Sequence, residues 1–496
     1  MDLPILNHAL IHSRPSHGLD GKTLDHLRTL PEKVLQFGTG VLLRGLPDYY
    51  IDRANKLGVF NGRIVVVKTT IQGNTADFEK QDCLFTHVIN GLRDGKPVRE
   101  TSVNCSISRV LEAKQQWAEI LECAANPEIA LVISNTTERG LVYIEESLSD
   151  GAPESFPAKL LAFLYHRFQK LGEKQEAGLI IIPTELIEGN GSLLKEFVLR
   201  GAVHNHLGKS FEDWLLRANT FCDSLVDRIV PGKPEPAKAE SYYSDWGYTD
   251  ANTLESEPYD LWAIAGEANR LPALSFAACN PGIRIERDIN QYKELKLRLL
   301  NGTHILSCGK AILEGFPTVR EGFSDPSFSH WAEGLMHEIS ASIPMTIEDS
   351  VRRLYAESVL QRFKNPFIEH HWESILLNYS TKLKIRALPL LKTYYERYAI
   401  LPEHIAEGFA TYLALSIPDE EENGQFFKWA GGKRIRLQDE LSSSLFQDYT
   451  SLGFADVAAK HLKNSAFWGF RLDSLPGFSQ KVLELAGMLN PGKQVV

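Results

Sequence analysis

A rhythm in the first half of the chain limits its fold most tightly. Short runs rich in Val, Ile and Leu recur at 34–37, 64–67, 129–133 and 179–182. They are too short for helices and apolar on both faces, as buried strands are. Amphipathic stretches lie between them, among them 108–124, with Ser108 in the N-cap position, and 157–171. Strand–helix–strand alternation predicts a parallel sheet with helices on both faces. The rhythm stops near residue 285. Helical patterns then follow one another over 291–313, 347–363, 371–398, 403–416 and 438–462. The expected class is α/β plus all-α, with an α/β domain over 1–285 and a helical domain over 286–496. The clearest irregular connector is 231–239, with three prolines and a glycine.

Charge excludes one large class of function. The 53 Lys and Arg against 63 Asp and Glu leave a net charge of −10. A chain without a basic patch is not expected to bind nucleic acid, whose phosphates need clustered cations. No run approaches the roughly 18 apolar residues of a membrane span. The start lacks a signal-peptide pattern, so the expected location is the cytoplasm. Six cysteines are scattered without a C-x-x-C pair, which argues for reduced thiols and no structural zinc. His370 and His371 diverge by about 100° on a helix and make no chelating pair, so no metal is expected.

The first strand run leads directly into Gly38-Thr39-Gly40. Two glycines spaced this way let a backbone turn tightly and approach a pyrophosphate. Leu43 occupies the place of the third glycine of the usual fingerprint. Pro47 belongs in the first turn of a helix starting near Leu46, which leaves Arg44 free to reach a phosphate. After the second run, where an acid would hydrogen-bond an adenosine ribose, stand Lys68-Thr69-Thr70. A lysine there either pairs a 2′-phosphate or is merely solvated.

The second informative segment is Lys296-x-x-x-x-Asn301-x-x-His304. At about 100° per residue, His304 and Asn301 fall about 80° and 140° from Lys296, on one arc. Leu297 and Leu300 share that arc, and a partly apolar setting lowers a lysine's pKa toward the range useful for proton transfer. Asn301 offers a donor to the same oxygen and His304 a partner for a neighbouring hydroxyl. Asn190, in Glu188-Gly189-Asn190-Gly191 beyond the fourth strand run, is a second amide donor or part of a turn. Arg362, Lys364, His370 and Lys382 add cations in the helical half.

Together, Gly38-x-Gly40-x-x-x-Arg44 and Lys296-x-x-x-x-Asn301-x-x-His304 resemble the long-chain mannitol dehydrogenase family of polyol and hexuronate dehydrogenases. The likeness continues through 219–230 and Arg362-Phe363-x-Asn365-Pro366, His370 and Lys382, and spans nearly the whole chain. Four stretches are similar to its tagaturonate-reducing members: 36–38, 65–67, 134–138 and Ile181-Ile182-Pro183-x-Glu185-Leu186-Ile187. Mannitol dehydrogenases and fructuronate reductases carry Cys-Asp-Asn at the last of these. The resemblance implies a Rossmann-type first domain and a zinc-independent, NAD-linked interconversion of D-tagaturonate and D-altronate in hexuronate catabolism. Fructuronate or a polyol such as mannitol is the alternative substrate. A non-catalytic NAD sensor would have no use for the proton-transfer lysine. By resemblance, Lys296 is the acid/base, Asn190 and Asn301 hold the reacting oxygen, and His304 positions the substrate. Asp227, Arg362 and Lys382 face the substrate. Phe37, Gly38, Thr39, Gly40, Arg44, Lys68, Asn135 and Thr136 face the cofactor. Lys68 departs from the pattern and leaves NADP open. The expected partner is a small-molecule hexuronate, in a monomer or a homodimer.

Overall fold

Six parallel strands form the central sheet: Glu32–Phe37, Arg63–Lys68, Ile107–Glu112, Leu131–Ser134, Ile180–Pro183 and Thr220–Phe221. Numbered along the chain, they lie in the order 3-2-1-4-5-6. This is the doubly wound dinucleotide-binding order, which reverses direction between the first and fourth strands. The computed structural model describes residues 3–70, 75–136, 140–149, 151–267 and 272–490.

Strand side chains alternate between faces, so each strand feeds two cores. Leu35, Phe37, Val65, Val67, Val132 and Ile181 pack beneath the helices Phe156–Leu171, Asn190–His204 and Lys209–Ala218. Val34, Ile64, Val66, Ile133 and Ile182 pack with Tyr50, Ile51, Trp262 and Phe276 on the other side. Burial on both faces explains why these strands read as continuous apolar runs.

The chain divides into two compact units, residues 1–90 with 97–289, and residues 91–96 with 290–496. The second is built around the helix Asn301–Leu313, whose residues from Gly302 to Gly309 are all buried. It packs against helices Pro326–Ser342, Trp372–Leu376, Tyr379–Tyr398 and Glu403–Ser416.

Several expected elements differ. Ser108 lies inside the third strand, and the helix expected over 108–124 shrinks to Trp117–Cys123. The long pattern over 371–398 breaks at Asn378, whose φ of 54° ends one helix before the next begins. Gly453, at φ 81°, divides 438–462 in the same way. Within the supposed connector, Pro236 opens the helix Pro236–Trp246 at its first position, where no N–H is needed. The helical half also holds a small antiparallel sheet of Glu420–Glu422, Gln425–Ala430 and Lys433–Leu437.

Candidate active site

In the first unit the candidate residues gather at the carboxyl ends of the central strands. Gly38 has φ 123°, open in practice only to glycine, and a Cβ there would lie 2.9 Å from the Asn135 carbonyl oxygen. Its N–H donates to the Val67 carbonyl at 2.9 Å, which ties the turn to the second strand. Thr39 is half-buried and Gly40 exposed. A methyl group on Gly40 would meet nothing within 4 Å, so packing within the chain does not dictate glycine there. Phe37 is buried against Phe156, leaving only its backbone at the edge.

Arg44 is not free. It lies in the short helix Val41–Gly45, before the helix Pro47–Lys56, and donates to the Asn252 carbonyl at 2.7 Å. Its guanidinium stacks over Phe78 and Phe85. The expected phosphate contact gives way to a packed internal cation, because a helix forms where a loop was expected. Lys68 is neither solvated nor unpaired. It is 6% exposed, and its ammonium faces Glu112 at 3.4 Å.

The loop after the fourth strand is held by a residue that pattern reading missed as an anchor. Glu185 is buried and accepts from the Thr136 N–H at 2.8 Å, the Thr136 hydroxyl at 3.0 Å and the Ser134 hydroxyl at 3.2 Å. Burial pushes its carboxyl above the ordinary range, and these hydrogen bonds draw it back. Asn135 donates to the backbone and hydroxyl oxygens of Thr184. Thr137 and Glu138, also part of the stretch 134–138, lie outside the described residues.

Asn190 departs furthest from expectation. It is 1% exposed, and its amide nitrogen donates to the carbonyls of Pro183, Glu185 and Ser224 at 2.9–3.1 Å. Its oxygen accepts from the N–H groups of Gly191 and Ser224, each at 2.9 Å. An amide has two hydrogens, and both are used here. Asn190 therefore pins the start of the helix Asn190–His204 to the strand Ser224–Asp227, and the donor role toward a reacting oxygen is withdrawn. Asp227 ends that strand, buried and in register with Leu261. Its substrate role comes from resemblance.

In the second unit, Lys296 begins a single π-helical turn, Lys296–Leu300, whose widened bond runs from the Asn301 N–H to the Lys296 carbonyl. Such turns are rare and recur at functional sites. Arg298, which is buried, secures the turn by ion-pairing with Glu294 and donating to the carbonyls of Ile385 and Arg386. Asn301 is half-buried, and His304 is 7% exposed. The imidazole of His304 sits 4.2 Å from the Phe363 ring, with His370 and Trp372 edge-on. Its Nε2 has no hydrogen-bond partner among the described residues. Burial, then His370, Arg386 and Arg362, hold it well below the ordinary histidine value, so the ring is neutral.

Arg362 is buried in the last turn of the helix Asp349–Phe363. Lys382 donates to the Ile375 carbonyl at 3.0 Å, and burial and Arg386 lower its pKa. Arg386, one turn beyond Lys382, acts electrostatically on both His304 and Lys382. Sequence reading passed over it, although its i+4 spacing from Lys382 was a usable signal. Thus the cations Arg362 and Arg386 act on one neutral imidazole, and His370, whose own pKa burial lowers, packs edge-on against it. Among the described residues, one group has metal-chelating spacing: His8, His12 and Asp25, where both rings meet the same carboxylate oxygen. It lies on the N-terminal helices of the first unit, His8–Ser13 and Gly21–Arg28.

A Rossmann unit with a glycine turn, and a helical unit presenting lysine, asparagine and histidine around a π turn, define a class of sugar and polyol dehydrogenases. The chain belongs to the mannitol dehydrogenase family: residues 32–275 match the mannitol dehydrogenase Rossmann domain and residues 288–485 the mannitol dehydrogenase C-terminal domain. It is 36% identical over 470 residues to the altronate oxidoreductase of Bacillus subtilis (strain 168), covering 94% of each chain. It is 39% identical over 400 residues to the altronate oxidoreductase of Halalkalibacterium halodurans, covering 80% of this chain and 77% of that one. Among solved structures, a substrate-free D-sorbitol dehydrogenase superposes with a TM-score of 0.75 at 19% identity, over 98% of both chains. A Pseudomonas fluorescens mannitol 2-dehydrogenase, in ternary complex with NAD and D-mannitol, gives 0.64 at 20% identity, over 93% and 92%.

Proposed function

We propose that the chain is an NAD-dependent oxidoreductase that interconverts D-tagaturonate and D-altronate, a step of hexuronate catabolism in the cytoplasm. Relatives named altronate oxidoreductase, matched over most of both chains, support the substrate. The observation that carries the chemistry is the buried, neutral His304, with Nε2 unpartnered among the described residues and acted on by the cations Arg386 and Arg362. A polar atom buried without a partner is costly unless a ligand satisfies it, and a sugar hydroxyl does so.

The first unit fits a dinucleotide. Gly38 permits the tight turn, and Gly40 leaves its outer side clear for a pyrophosphate. Thr39, Gly40 and the loop of Asn135 and Thr136 would hold it, and NAD(H) when bound supplies or accepts the hydride. In the reducing direction, Lys296 delivers a proton to the carbonyl oxygen of the ketose, while Asn301 donates a hydrogen bond to the same oxygen. His304 accepts from or donates to an adjacent hydroxyl through Nε2. Arg362, Lys382 and Arg386 hold the substrate carboxylate by charge-assisted hydrogen bonds, and Asp227 contacts a hydroxyl.

The test is NADH oxidation against tagaturonate, fructuronate, fructose and tagatose. Preferred turnover of tagaturonate supports the reading. Equal efficiency on fructose would move the chain to the polyol branch, and preference for fructuronate would keep the mechanism and change the substrate.

A further inference from the structure

The second strand lacks the acid expected at its carboxyl end, yet an acid is present at that place in space. Glu112 ends the neighbouring strand Ile107–Glu112 and is the register partner of Lys68. Its Oε1 takes the Lys68 ammonium at 3.4 Å and the Thr75 hydroxyl at 3.3 Å. Its Oε2 accepts from Gln115 at the exposed side, at 3.1 Å. The lysine is buried, while Glu112 keeps 20% of its side chain exposed. A carboxylate has about four acceptor directions, so the outer oxygen retains capacity for a ligand hydroxyl. The cation lies inside and is already compensated, and the anion lies outside.

Resting on the proposal that this unit binds a dinucleotide, we infer that Glu112 reads the adenosine ribose. Its outer oxygen accepts from the ribose hydroxyls, and its charge repels a 2′-phosphate. Lys68 steers this carboxylate and does not bind phosphate. The acid has moved from the second strand to the third, with the same consequence for specificity as an acid at the usual position. This resolves the ambiguity of Lys68 in favour of NAD.

The experiment measures dissociation constants of NADH and NADPH by nicotinamide fluorescence, for wild type, Glu112→Gln and Glu112→Asp, with melting curves alongside. Wild type should bind NADH at least tenfold more tightly than NADPH. Glu112→Gln removes the charge, uncovers Lys68, and should bring the two constants within threefold of each other. Glu112→Asp keeps the charge on a shorter arm, so NADH should weaken severalfold while NADPH stays excluded; it also serves if the glutamine variant does not fold. The inference is overturned if wild type prefers NADPH, if Glu112→Gln keeps the wild-type ratio, or if Glu112→Asp leaves NADH binding unchanged. Wild type binding neither dinucleotide would instead refute the parent reading, and this inference with it.

Discussion

Replacing Asn190 with alanine separates a structural pin from a catalytic donor. Two of the carbonyls it serves keep another partner: Pro183 accepts from the Ser224 hydroxyl, and Glu185 accepts from the Ile187 N–H. Three backbone groups lose the partner that Asn190 gives them: the N–H of Gly191, and both the N–H and C=O of Ser224. Little water can substitute, because a Cβ on Gly191 would already fall 2.4 Å from the Cys222 backbone. At about 1–3 kcal/mol for each buried group left unsatisfied, the loss is on the order of 3–9 kcal/mol. That is a large share of the roughly 5–15 kcal/mol that typically holds a domain together. Urea unfolding should therefore show a much lower midpoint at an unchanged slope. Turnover of the folded fraction should stay within about threefold of wild type, since no hydrogen of this amide is left for substrate. A donor to a developing alkoxide would behave oppositely, costing about 10²–10³ in turnover. Wild-type stability with turnover lost on that scale would refute the reasoning.

Lys296→Ala should lower turnover by about 10²–10⁴-fold with NADH affinity little changed, as measured by steady-state kinetics beside cofactor titration. Arg386→Leu should remove much of the preference for tagaturonate over tagatose, a charge-assisted contact being worth about 1.5–3 kcal/mol; an unchanged ratio of kcat/KM values would exclude Arg386 from carboxylate binding. Asp48 is fully buried behind the glycine turn, and burial pushes its carboxyl up to about 8, against Gln36 and Arg44, which draw it down, and with Asp52, which raises it. A carboxyl whose folded pKa lies above its unfolded value of 3.8 contributes stability that is complete below pH 3.8 and lost as pH rises through about 8. Asp48→Asn removes that dependence, so its stability relative to wild type should climb between pH 4 and 8; a constant difference across that window would mean that Asp48 is ionised in the fold.

What was legible in the sequence followed periodicity and chain direction. Runs buried on both faces announced the parallel strands, because a strand in a doubly covered sheet has no polar side to display. Gly38 was legible because its φ of 123° leaves no other residue an easy choice. The hairpins were written just as plainly and were overlooked. Asp94-Gly95 joins Phe85–Arg93 to Lys96–Asn104, and Asn423-Gly424 and Gly431-Gly432 join the strands of the small sheet, all with positive φ as two-residue hairpin turns require. Charged and aromatic residues on the exposed sides of these strands masked the period of two. The π turn at Lys296–Leu300 had no such signal, since its extra residue per turn comes from packing and leaves the composition helical.

The site residues were found by type, and type does not reveal what a polar group is already doing. Asn190, Asn301, Arg44, Lys68 and Arg362 look alike on paper as donors awaiting a ligand. Folding commits Arg44 to the Asn252 carbonyl and two aromatic faces, Lys68 to Glu112, and Asn190 to a knot of backbone groups. The farthest partner is 208 positions away for Arg44, 44 for Lys68 and 34 for Asn190, separations at which no local pattern operates. The opposite case is His304. Its lack of a partner at Nε2 among the described residues is also a property of the fold alone, created when Phe363, His370 and Trp372 close around the ring without offering a hydrogen bond. An unsatisfied buried nitrogen is tolerated in a native structure when something outside the chain completes it. On the proposed function, the pointer to a substrate hydroxyl at His304 is thus an absence of contact among the described residues, which no reading of residue types along the chain can supply.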